Sequence, residues 1–314
     1  MKGAILNYEN RFYLNNTPIS GITSIDGDYT INYSPINTIG VGYNKQVISE
    51  VPVCQFGINR YLVYNEPFLN YTGETLNRQA PSFRGSINYQ GKSIGFDSGY
   101  LMSFNVNCSV GEIPKTSSKI NIFGDIGKGY SASGNFTAPY ISVPQVKDMT
   151  ITCSGSSTNR ITSFDYSINC PKKPVYIFRP SGYLNSEVTG PIIPGFNYIP
   201  YEVLSNLPIE VDATFDLEVD DYETKRLYDQ LNNDINSSFS INIKGTVFQD
   251  ETLMVSGQDL LVDGGNTLLM YKKSIGINLF DVSFDNAKLV SQQITSSADD
   301  ILSVKLNYRA YLNN

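Results

Sequence analysis

The chain of 314 residues contains no histidine and no tryptophan, and the missing histidine removes whole classes of chemistry. A Ser-His-Asp or Cys-His nucleophile cannot be assembled within it. Zinc and most transition-metal sites lose their commonest ligand, and the four cysteines, Cys54, Cys108, Cys153 and Cys170, are far apart and form no C-x-x-C pair. These cysteines read as buried free thiols. Neither G-x-x-x-x-G-K-[ST] nor G-x-G-x-x-G occurs, so the phosphate cradles of nucleotide-binding folds have no support. No apolar run approaches the ~18 residues of a membrane-spanning helix, and Met1 to Asn7 lacks the apolar core of a signal peptide. The expectation is a protein made and kept in the cytosol. Basic residues are also scarce: 23 Lys plus Arg stand against 30 Asp plus Glu, for a formal net charge of -7. General attraction to nucleic acid or to an anionic membrane is therefore not expected.

What the chain does have is a phrase that returns. Ile22-Thr23-Ser24-Ile25, Ile161-Thr162-Ser163-Phe164 and Ile301-Leu302-Ser303-Val304 recur at nearly constant spacing. Upstream, Ser156 to Arg160 matches Ser296 to Asp300, and downstream, Asp28 to Asn32 resembles Asp165 to Asn169. The period of about 140 residues is far longer than the ~20–50 residues of a solenoid repeat and points to a duplicated domain. The expected division is a first domain over 1–160 and a second over 161–314, with the third phrase closing the second copy. The chain length suits two domains.

Period-two alternation dominates. Tyr100, Met102, Phe104, Val106, Cys108 and Val110 alternate with Leu101, Ser103, Asn105, Asn107 and Ser109, as in a half-buried strand. Ile209, Val211, Ala213, Phe215, Leu217 and Val219 alternate with Glu210, Asp212, Thr214, Asp216 and Glu218, whose face is almost wholly acidic. Further strands read at 86–89, 119–123, 239–243, 253–255, 267–271 and 302–311, with turn chemistry at Asp263-Gly264-Gly265-Asn266. One helix is expected, capped by Asp220 with Glu223 three residues on and carried by Leu227, Tyr228, Leu231 and Ile235. The first half carries extra residues, assigned to a loop or hairpin over Tyr43 to Glu74. The Gly-, Ser- and Pro-rich stretch 124–144 is a second loop.

The acidic positions allow two chemical readings beside that of a solvated face. Asp212, Asp216 and Glu218 could supply a glycosidase carboxylate pair, since same-face strand neighbours lie roughly 6.5–7 Å apart. Asp259, Asp263 and Asn266, or Asp220, Asp221 and Glu223, could hold calcium, though neither spacing fits a known calcium loop. The 22 tyrosines read as sheet and interface residues.

Three runs carry a resemblance. They are Gly99 to Pro114, then Ala287 to Gln292 continued by Ser296-Ser297 and Asp300 to Ala310, and the middle run from Arg160 through Asp165-Tyr166-Ser167-Ile168 to Pro174-Val175-Tyr176. Together they resemble strand-and-turn phrases of the tail tube (major tail) proteins of long-tailed bacteriophages. The resemblance covers a minority of the chain. It implies a mainly β fold: two tandem copies of a tail-tube-like β-sandwich or rolled sheet, with a helix in the second copy. It also implies a virion component, assembled in the host cytoplasm, whose subunits close into rings that stack into a conduit for DNA.

A family that makes hexameric rings from one domain per subunit would make the same ring from three two-domain chains. The implied partners are other copies of this chain, other tail proteins, and DNA as passing cargo, with no membrane, cofactor or metal and no catalytic residue. A channel through which DNA slides should lack the Lys and Arg contacts that hold phosphate. On that ground Ser103, Asn105, Asn107, Ser109, Glu210, Asp212, Thr214, Asp216 and Glu218 are the candidate lumen residues. Tyr43, Tyr61, Tyr64 and Tyr71 are candidates for loops between subunits or rings, together with Met1 to Asn16. The other reading is a binding module: a receptor-binding or adhesin protein, or a baseplate or other virion component built on a similar fold.

Overall fold

The computed structural model describes residues 10–35, 47–49, 53–62, 66–72, 79–89, 92–123, 126–127, 144, 148–153, 156–157, 161–176, 200–218, 237–255, 267–296 and 303–312. The expected helix, the turn at 263–266, both calcium candidates, Tyr43 and Tyr64 lie outside them, as does most of the 124–144 loop.

The fold is mainly β and antiparallel. Its strands are β1 (Asn10–Leu14), β2 (Thr17–Pro18), β3 (Ile22–Thr30), β4 (Tyr33–Pro35), β5 (Val47–Ser49), β6 (Val53–Tyr61), β7 (Phe83–Tyr89), β8 (Lys92–Ser109), β9 (Lys115–Ile122) and β10 (Ile126–Gly127). They continue as β11 (Met149–Cys153), β12 (Ser156–Ser157), β13 (Ile161–Asn169), β14 (Lys172–Val175), β15 (Glu202–Ser205), β16 (Glu210–Glu218), β17 (Ser237–Val255), β18 (Thr267–Thr295) and β19 (Ser303–Tyr311). A short 3-10 turn spans Pro67–Tyr71.

Eight strands form one unbroken run in the order β3-β6-β9-β8-β13-β16-β19-β18. The long strands β8 and β18 serve two layers. The C-terminal part of each belongs to this run, and the N-terminal part pairs instead with β7 or β17, which pair in turn with β1 or β11. The aromatic rings show the second layer packed against the first. Phe96 lies against Phe56 of β6, Phe280 against Tyr166 of β13, and Phe239 of β17 against both Phe215 and Tyr308. Burying each such ring contributes about 1.5–3 kcal/mol; Phe96 stacks on Phe56, and the other three pairs lie tilted or edge-on as their quadrupoles favour. At the first-half bend, Phe96 occupies the space a side chain on Gly85 would need: an added Cβ there would lie 2.2 Å from its Cζ.

Alternation is as read on β16, where Ile209 just before the strand and Val211, Ala213, Phe215 and Leu217 within it are all buried. On β8 it is not. A bulge at Met102 shifts the register, so Leu101 is buried and Tyr100 and Met102 do not share the face of Phe104, Val106 and Cys108. A one-residue slip exchanges faces in any strand, and nothing in the local apolar pattern marks it. Two other segments also differ. The first-half loop over 43–74 contains β6, a central strand paired on both sides. The N-terminal segment, expected to reach outward, holds β1, whose Phe12, Tyr13 and Leu14 are buried. Residues 149–157, on the first-domain side of the expected boundary, form β11 and β12, and β11 pairs with β17 of the second half. The four cysteines are free and buried, and burial raises all four thiols, to about 12 for Cys153.

Strand β6 escapes a pattern search because one of its inward positions is Arg60. Its guanidinium is buried beside Thr116 Oγ1, at 3.1 Å, and pairs with the buried carboxylate of Glu66, which also accepts from the Phe68 backbone N–H at 3.2 Å. Burial pushes the Glu66 carboxyl up, and Arg60 and the Phe68 N–H oppose that push. Removing one partner strands the other in the core. Glu66→Ala is expected to destabilise the protein by about 3–5 kcal/mol in urea unfolding, whereas replacing Arg60, Glu66 and Thr116 together by Leu, Leu and Val is expected to recover most of that loss. An equal loss in both variants would show that the pair itself, rather than the unpaired charge, sets the stability.

Candidate functional site

The eight-stranded run has one apolar face, turned to the second layer, and one polar face. Every sequence candidate on β8 and β16 lies on the polar face, and the register brings the two sets together across β13. Ser103, Asn105, Asn107 and Ser109 stand opposite Asn169, Ser167, Asp165 and Ser163. Those same residues stand opposite Glu210, Asp212, Thr214 and Asp216 on the other side. Glu218 ends the row, opposite Ser303 of β19. Sequence reasoning missed β13 and β19 as contributors. Their signal was the same alternation, in Ser163, Asp165, Ser167 and Asn169 and in Lys305, Asn307 and Arg309.

The acidic row is less negative in its sheet than on its own strand. Lys305 stands opposite Asp216, and Arg309 opposite Asp212. Arg309 Nε donates to Asp212 Oδ1 at 2.7 Å, which raises the Arg309 pKa further through the hydrogen bond and the charge. Ser163 donates to Asp216 Oδ2 at 2.5 Å, and Thr214 donates to Asn307 Oδ1 at 2.8 Å. Asp212 and Asp216 each accept a side-chain hydrogen bond within the sheet. Along the whole run the face carries Asp26, Asp28, Asp165, Glu210, Asp212, Asp216 and Glu218 against Lys115, Lys119, Lys288, Lys305 and Arg309. The remainder is mostly Ser, Thr, Asn and Gln, with Val53, Gly57 and Tyr61 on β6, Tyr100 on β8 and Tyr311 on β19. The balance is mixed, with acid in slight excess.

Tyr61 is exposed on this face at the end of β6. Tyr71 is placed differently: its ring packs on Phe83 with centroids 4.9 Å apart, and its hydroxyl accepts from Asn15 Nδ2 at 2.6 Å, so it ties the 3-10 turn to β1 and β7. Among the described residues no three His, Cys, Asp or Glu side chains cluster as metal ligands, and no helix is long and apolar enough to cross a membrane. No protein-family model matches the chain, and no curated protein matches its sequence.

One carboxyl on the face departs from its ordinary range. Partial burial raises Asp165, while the hydrogen bond from Asn105 Nδ2, at 2.8 Å, and the charge of Lys305 pull it back. A raised folded value favours the neutral acid in the native state. The contribution of Asp165 to stability is therefore present below its unfolded pKa and lost as pH rises through the folded one. Removing the donor in Asn105→Ala should raise the Asp165 midpoint further, read by NMR titration of the side-chain carboxyl. An unmoved midpoint would show that the Asn105 hydrogen bond does not hold the carboxylate in solution.

Proposed function

We propose that the chain is a structural subunit built from two copies of one β unit, and that it assembles into stacked rings forming the tube of a phage tail, through which DNA passes. The observation that carries the two-copy reading is the pairing pattern. Seven pairings among β1 to β9, namely β1·β2, β1·β7, β3·β6, β4·β5, β6·β9, β7·β8 and β8·β9, recur as β11·β12, β11·β17, β13·β16, β14·β15, β16·β19, β17·β18 and β18·β19. Three irregularities recur with them. Register slips follow Ile22 and Ile161, Phe83 and Ser237, and Leu101 and Leu289. One separation carries both Leu101 to Leu289 and Ile120 to Tyr308. Another carries Tyr13 to Thr152 and Ile22 to Ile161, the residues that open the repeated phrase.

On this reading the copies run over 10–122 and 149–311, and the boundary falls between β10 and β11 instead of after residue 160. The counterpart of the acidic strand β16 is then β6. The phrase at 301–304 is the counterpart of the start of β9 and closes the second unit.

Two fused four-stranded units in one sheet suit a wall segment. Three chains, the number the resemblance implies, would supply 24 strands. At ~4.8 Å per strand the circumference is about 115 Å and the diameter on the order of 37 Å before strand tilt widens it. That leaves room for a DNA duplex inside the side chains. The polar face, whose Lys305 and Arg309 stand opposite Asp216 and Asp212, is the side suited to the bore, since unopposed Lys and Arg would hold phosphate.

Electron microscopy of the purified protein tests the assembly: rings or tubes with an open centre are expected, and discrete trimers with knob-like ends would instead favour the binding-module reading. The bore is tested by Glu210→Lys with Glu218→Lys, neither of which removes the Arg309–Asp212 pair. Assembly is expected to survive while DNA delivery from the particle slows at least tenfold, and unchanged delivery would remove this face from the bore.

A further inference from the structure

The eight-stranded run ends in two edges that no other described strand covers, β3 on one side and the C-terminal part of β18 on the other. We infer that these edges pair with each other between copies of this chain, antiparallel, in the register that joins β8 to β13 inside one chain. The inference rests on the two-copy reading, in which β18 is the counterpart of β8 and β3 that of β13. The internal seam is then a template for the external one.

Three observations support this partner over any other. First, direction: eight strands alternating along the run leave β18 and β3 of successive chains antiparallel, as β8 and β13 are. Second, chemistry: carrying the register Asp165↔Asn107, Ser167↔Asn105 and Tyr166↔Val106 across places Asp26 opposite Thr295, Asp28 opposite Gln293 and Gly27 opposite Ile294. Each carboxylate meets a neutral donor and no like charge. The internal bond from Asn105 to Asp165 has its counterpart in a bond from Gln293 to Asp26. Third, burial: Ile294 is 55% exposed and Tyr29 45% exposed, whereas their counterparts Val106 and Ile168 at the internal seam are 0% and 2% exposed. Exposed Ile294 and Tyr29 on edges that no other described strand covers are a liability unless a strand covers them. The contact is heterologous, so its repetition closes a ring or runs on as a filament.

Single-cysteine variants Thr295→Cys and Asp26→Cys test the seam by zero-length oxidation, with the native thiols buried. A disulfide-linked dimer is expected only when the two variants are mixed, because directly opposite strand residues come within reach of an S–S bond. Ser291→Cys mixed with Asp26→Cys, four residues out of register, should give none. Tyr29→Lys with Ile294→Lys should leave the circular-dichroism spectrum and melting temperature within a few degrees of the parent while abolishing assembly. Rings or tubes without the matched crosslink, or crosslinking by Thr295→Cys alone, would overturn the seam and leave the tube reading standing. A parent chain that stays monomeric in sedimentation would overturn both.

Discussion

The pairing of β8 with β13 is the contact on which the rest of this architecture depends. It is the only described pairing of strands within the eight-stranded run that crosses from the first half of the chain to the second, and it makes one sheet of two sets of four strands. Backbone N–H and C=O groups on a strand edge must find partners or water, and here each half satisfies an edge of the other. The apolar side of that seam is closed by Phe104 and Tyr166 against Phe280, so hydrogen bonds and packing favour the same register. The consequence reaches the polar face, because the seam alone brings the neutral row of β8 alongside the acidic row of β16.

Much of this was legible in the sequence, and what was not has identifiable causes. The β16 row is an uninterrupted alternation, and the structure keeps it residue for residue. The repeated phrase Ile-Thr-Ser lies at the start of β3 and β13, and its register slip is the same in both. The β8 row was legible only above Met102, since a bulge leaves no mark in an apolar-polar pattern. Strand β6 was illegible for another reason: Gly57 weakens the alternation and Arg60 sits where an apolar residue was to be expected. The charge of the face was half legible. Local sequence shows one strand at a time, and the cations that answer Asp212 and Asp216 come from β19, almost a hundred residues away.

The buried Arg60 also bears on the two-copy reading proposed above. In the two-copy register Arg60 is matched by Leu217, and its neighbour Thr116 by Val304, and both of those are buried apolar residues. One position in the fold therefore holds a hydrogen-bonded guanidinium in the first half and a Leu–Val contact in the second. Buried ion pairs and well-packed apolar groups of similar volume are often nearly interchangeable in free energy, while a broken pair is not. On the two-copy reading proposed above, such an exchange is one route by which sequence identity between the halves is lost while pairing order and bulges persist. The first half adds something with the polar version: Glu66 caps the Pro67–Tyr71 turn through the Phe68 N–H, so the same carboxylate that neutralises Arg60 fixes the segment carrying Phe68 and Tyr71 onto Phe83. The buried Arg60–Glu66 pair of the first half thus organises a segment beside β7.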